Sequence, residues 1–188
     1  MFRLILIITA FFVVALTHIQ TAQAQEVWRS KVISVVQPGA VVARRGLDSD
    51  TITQAVLLGQ GGGKWSHVGI ALQLIPDGQI YIASAMPSAG TKLEKPEVFF
   101  DERQASNGAV IPTPIDKSEA VQNAVKSMLG RPFDDQLRLD DGGQKLYCTE
   151  LVALALQQAK VIKNLPTRSI FSREIITPDD LVAAVEGQ

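Results

Sequence analysis

Hydrophobic and polar positions fall into three kinds of run along the chain. From Val32 to Ala43 the residues are largely β-branched and are broken at Pro38-Gly39, which predicts a strand, a turn and a second strand. A short helix is expected near Ile52 to Leu58. Ser66 to Leu74 and Gln79 to Ala85 flank Pro76-Asp77-Gly78, a β-hairpin pattern. Apolar clusters at Val98-Phe99-Phe100 and Ala109-Val110-Ile111 predict two further strands.

Helical spacing takes over downstream. Asp116 and Glu119 resemble a capping box, Ala120, Val121, Ala124, Val125 and Met128 recur on one face, and Gly130 then Pro132 end the run. A second helix is expected from Cys148 to about Lys160, with Leu151, Val152, Ala155, Leu156 and Ala159 as its apolar stripe. A third begins at Thr177-Pro178-Asp179-Asp180, which supplies an N-cap, a first-turn proline and acids against the positive helix end. Clustered strands followed by separate helices predict an α+β domain rather than a wound parallel sheet.

The third kind of run is the near-continuous hydrocarbon from Leu4 to Leu16. It follows Met1-Phe2-Arg3 and precedes Ala22-Gln23-Ala24, the three-part layout of a secretory signal peptide. His18 and Gln20 interrupt it before the ~20 residues that a membrane span needs. The expectation is a leader over 1–24, a single domain over 25–188, periplasmic or secreted localisation, and no stable membrane insertion after cleavage.

Composition narrows the chemistry. The 188 residues are 46% hydrophobic and 20% charged with a net charge of −1, which argues against disorder and against a nucleic-acid partner. One Cys and two His occur in the chain, so neither an internal disulfide nor a Cys/His zinc site can form. No cofactor or metal is expected. The glycine run before Lys64 departs from a phosphate-binding loop, because Leu58 replaces its first glycine and Trp65 its hydroxyl residue. Asp48 with Asp50, and Asp140 with Asp141, lack the ligand spacing of a calcium loop.

With His18 in the leader, His67 and Cys148 are the remaining His and Cys. Cys148 stands at a predicted helix start, where free N–H groups and the helix dipole favour thiolate and would help hold an oxyanion. His67 opens a predicted strand, with Gly69 and Ala71 on its face leaving room for another element. The pair reads as nucleophile and general base/acid. Each alone also fits a packing role, Cys148 as a small buried hydrophobe and His67 as a hydrogen-bonded strand residue.

Trp65-Ser66-His67-Val68-Gly69-Ile70, followed far downstream by Leu146-Tyr147-Cys148-Thr149-Glu150-Leu151-Val152, resembles the permuted papain-like hydrolases of the YiiX/YaeF type, relatives of the NlpC cell-wall peptidases. Gln37-Pro38-Gly39 with Val41-Val42, Gly130-Arg131-Pro132-Phe133-Asp134 and Ile176-Thr177-Pro178-Asp179-Asp180-Leu181 are similar to further family segments in the same order. The resemblance implies an antiparallel sheet or small barrel packed against helices. It also implies a cysteine hydrolase cleaving amide or ester bonds in peptides, peptidoglycan fragments or acyl lipids. Two positions depart from the family pattern: Ala40 stands where Asp is usual, and Ser84 where a Glu would orient the imidazole. Ser84 is therefore a weak third catalytic residue, with Gln73 and Asp134 as substitutes. The alternative is a peptide- or lipid-binding protein of the same fold with little or no turnover.

Overall fold

The computed structural model describes residues 26–47, 62–170 and 172–188. The leader, the helix expected near Ile52, the Asp48/Asp50 pair and Gly59–Gly61 lie outside these residues. Five strands, β1 (Val41–Gly46), β2 (His67–Gln73), β3 (Ile80–Met86), β4 (Gly90–Glu94) and β5 (Ala105–Ile111), form one sheet in the order β4-β3-β2-β1-β5. All of its neighbours are antiparallel. The α+β expectation holds, and of the two forms considered the sheet is the one present.

The two faces of the sheet carry different loads. Val41, Ala43, Val68, Ile70, Leu72, Ala83 and Ala85 point into the main core. They meet α3 (Ser118–Lys126), α4 (Cys148–Gln158) and α5 (Pro178–Glu186). Leu151, Val152 and Leu156 of α4 are fully buried there. Each such side chain contributes about 1.5–3 kcal/mol, so the apolar stripe fixes the helix on the sheet and its first turn at the sheet's end. On the opposite face, Val42 and Ile82 pack with Val32, Phe99 and Phe100.

That second face overturns two expectations. Residues 26–34 form a helix, α1, rather than a strand beginning at Val32. Trp28, Val32 and Val36 recur every four residues and pack on Val42, Ile82, Phe99 and Phe100, so tertiary burial outweighs β-branched propensity. Val98–Phe100 is likewise not a strand: Pro96 opens a single helical turn, α2 (Pro96–Phe99), and the Phe100 N–H bonds to the Pro96 carbonyl.

The hairpin matches its expected position, and β5 is longer than expected. β4 and a ribbon of β6 (Thr167–Ile170) and β7 (Arg173–Ile176) are additional. The start of α3 has no side-chain cap and is a 3-10 turn over Ile115–Lys117, so Asp116 and Glu119 do not form a capping box. Thr177 does cap α5, its hydroxyl accepting from the Asp180 N–H.

Candidate active site

The chain entering β2 is pinned by backbone-directed contacts. The Asp179 carboxylate, in the first turn of α5, accepts the Lys64 N–H at 2.8 Å and the Trp65 N–H at 2.9 Å. Arg45 donates to the Gly63 carbonyl. The Gly46 N–H donates to Ser66 Oγ at 2.6 Å. His67 follows directly, opposite Arg44 in the β1–β2 register. The β2–β3 ladder begins only at Ile70↔Ala83, so the first residues of β2 are laddered to β1 alone.

Cys148 arrives at this opening from the other direction. The Leu146 N–H bonds to the Pro132 carbonyl and the Asp134 N–H to the Leu146 carbonyl, closing the loop ahead of the helix. Thr149 Oγ1 donates to the Ile176 carbonyl at 2.6 Å, and the Ile176 N–H donates to the Tyr147 hydroxyl at 3.0 Å. The first turn of α4 is thus tied to the end of β7. The backbone N–H groups of Val68, directly after His67, and of Thr149 lie where they favour a thiolate at Cys148. The sequence-distant Cys148 is thereby set against Val68, the residue adjoining the base candidate His67.

Burial sets the electrostatics. The His67 imidazole is 9% exposed, and burial, then Arg44, then Lys92 hold its pKa well below the usual 6.5. Its Nε2 has no hydrogen-bond partner among the described residues. Burial also pushes the Cys148 thiol up to about 11, although the Val68 and Thr149 N–H groups and Arg44 oppose the shift. This reverses the direction expected from the helix start: loss of solvation outweighs a dipole of partial charges. At rest both the Cys148 thiol and the His67 imidazole are neutral.

The three candidates for orienting His67 separate clearly. Ser84 is fully buried on the His67 face of the sheet, since Gly69 lies against its Cβ, but its hydroxyl bonds to Glu94 Oε1 at 3.5 Å. Gln73 sits at the far end of β2, some 20 Å along an extended strand. Its N–H donates to Gln122 and its side-chain amide to Gly78. Asp134 is buried, with its carboxylate accepting the Gln136 and Arg138 N–H groups. It acts electrostatically on Glu150. Of the three, the structure brings Ser84 to the His67 face and gives Gln73 and Asp134 to other structures.

Four residues near His67 escape a sequence reading. Phe99 lies 5.5 Å from the imidazole between ring centroids. Arg44, 1% exposed, packs its guanidinium over Phe99. Lys92 and Glu94 pair at 3.4 Å on β4. A strand alternation through Val42 and Arg44 would have placed the arginine inward, whereas β4 is too polar to announce itself.

Fold and site define a class of thiol-containing papain-like domain in which His precedes Cys. The chain belongs to the permuted papain-like amidases, matching the family described as Permuted papain-like amidase enzyme, YaeF/YiiX, C92 family, over residues 35–188. Among solved structures it is similar to YiiX from Escherichia coli O157:H7, with a TM-score of 0.64 and 14% identity, covering 79% of this chain and 93% of that one. A search of curated proteins finds no match. The YiiX structure is described as that of a metalloprotein. Among the described residues here, no three His, Cys, Asp or Glu side chains gather where they could hold a metal ion.

Proposed function

We propose that this protein is an exported cysteine hydrolase that cleaves amide bonds, and secondarily esters, in cell-wall peptides or acylated molecules. The observation that carries the reading is a Cys148 thiol at a helix start, favoured as thiolate by the Val68 N–H, where Val68 adjoins a neutral His67 whose Nε2 has no partner among the described residues. A neutral imidazole is the form that can act as a base. As Cys148 attacks the substrate carbonyl, its proton passes to His67, and the sulfur–carbon bond forms. The Cys148 N–H, at the helix start, holds the oxyanion. His67 returns the proton to the leaving amine as the carbon–nitrogen bond breaks. Water, deprotonated by His67, then cleaves the thioester and restores the thiol. Cell-wall peptides and acyl lipids as substrates follow from the family likeness, and export from the leader pattern of residues 1–24.

The high thiol pKa and the missing carboxylate at Ser84 favour a second reading, a binding protein of the same fold with little turnover. Turnover on a panel of peptide amides, peptidoglycan fragments and acyl esters separates the two. Under the first reading Cys148→Ala abolishes hydrolysis, and His67→Ala lowers it by about 10³-fold or more, as for members of a catalytic unit elsewhere. Under the second, the parent and both variants bind the same ligand without product.

A further inference from the structure

We propose that Arg44 is a positioning residue of this site: its buried guanidinium clamps Phe99 against the His67 imidazole and places a fixed positive charge beside the Cys148–His67 pair. The inference rests on the hydrolase reading and assigns part of its machinery. Arg44 stands directly across from His67 in the β1–β2 pair, so the two side chains leave the same face of the sheet. It is 1% exposed. Its Nη1 donates to the Phe99 carbonyl at 2.7 Å and to Gln104 Oε1 at 3.1 Å. Its guanidinium carbon lies 5.0 Å from the centroid of the Phe99 ring, and that ring lies 5.5 Å from the imidazole. One side chain therefore grips both the backbone and the ring of the residue that walls His67.

The consequence for the chemistry follows from sign. A buried cation disfavours imidazolium and favours thiolate. Arg44 acts in both senses here, on His67 and on Cys148. Held near an otherwise desolvated thiol, it lowers the barrier to forming negative sulfur at the moment of attack while keeping the base unprotonated beforehand. Among the described residues, the other groups on this side of the sheet are Lys92 and Glu94 from β4, which pair with each other, Ser84 from β3 and Phe99 from α2, while Cys148 of α4 lies against the adjoining Val68. Within this set Arg44 is the cation that is both fully buried and opposite His67.

Charge removal and simple loosening predict opposite results, which makes the test sharp. In Arg44→Met the His67 titration, followed by NMR, should move up, and the Cys148 thiol should move up as well. Iodoacetamide labelling at pH 8.5 then slows, by about tenfold for each unit of thiol pKa. Loosening that merely admits water would move His67 up but the thiol down, so faster labelling in a folded Arg44→Met variant overturns the proposal. Arg44→Lys keeps the charge and should restore both titrations toward the parent. Should Arg44→Met fail to fold, Arg44→Gln removes the charge while keeping a donor for the Phe99 carbonyl, and the same opposed outcomes apply. None of these readouts needs a substrate. If His67→Ala leaves labelling unchanged and the parent shows no turnover, the hydrolase reading falls independently of how the Arg44 variants behave.

Discussion

Cys148 and Glu150, two positions apart, both hold their protons more tightly than the free side chains do, and each gives a pH-dependent signal. With the thiol pushed to about 11, labelling of Cys148 should climb by about tenfold per pH unit from 7 to 10, without the plateau near 8.5 of an exposed cysteine. A plateau below pH 9 in stopped-time mass spectrometry would contradict the neutral resting pair. Glu150 is 2% exposed, and burial, then Asp141, then Asp134 raise its carboxyl to about 8. A raised acid binds its proton in the folded state while the unfolded chain has already lost it. Stability therefore falls as pH rises from about 4.5 to about 8. Glu150→Gln cannot ionise, so it should flatten that decline. Its melting temperature at pH 8.5 should exceed the parent's, each kcal/mol being worth about 2–4 °C in a domain of this size. Equal pH slopes for the two proteins in scanning calorimetry would exclude Glu150 as the source.

Elements differ in how openly the sequence announces them, and the difference has physical causes. α4 and α5 carry apolar stripes with clear starts, and β2 and β3 alternate around a turn, so local pattern and tertiary packing agree. His67 and Cys148 stand out as candidates for the same reason: rare residue types open strongly patterned elements. α1 and α2 are not legible, because β-branched and aromatic residues chosen to fill one sheet face look locally like strands. β4 and the β6–β7 ribbon are short and largely polar, and they are held by pairing rather than by pattern. Arg44 is hidden because its partners Phe99 and Gln104 lie more than fifty residues away. Gly69 shows how tightly these elements fit at the site. A Cβ there would come within 2.6 Å of Ile82 Cγ2 and 2.7 Å of the Ala83 carbonyl oxygen, with Ser84 Cβ behind. Gly69→Ala should therefore force β3 away from β2, destabilising the fold by about 1–3 kcal/mol in urea melts. It should also speed Cys148 labelling as the opening widens. An unchanged midpoint would mean that β3 yields freely and does not fix the geometry beside His67.

At the scale of the whole molecule, the leader pattern of residues 1–24, the unpaired thiol and the packing of α1 bear on one another. We propose cleavage after Ala24, where the Ala22-x-Ala24 pattern ends. The fold supports that position on packing grounds. Trp28, Val32, Ile33 and Val36 cover Val42, Ile82, Phe99 and Phe100, and Trp28 sits edge-on to Phe100 with ring centroids 6.5 Å apart. A cut after Ala24 leaves this whole helical face attached, whereas one a turn later would strip Trp28 from Phe99's own neighbour and loosen the wall behind His67. Cys148, as a half-buried thiol rather than a thiolate, reacts slowly with disulfides, so under the proposed export it would stay reduced in an oxidising compartment. Material recovered from the periplasm or medium should thus have the intact mass of a chain beginning at Gln25. It should release one titratable thiol to Ellman's reagent rapidly only after denaturation. A mass retaining Met1 to Ala24 would place the protein on a membrane anchor instead. A product beginning beyond Trp28 that melts no lower than the Gln25 form would show that α1 does not support the site.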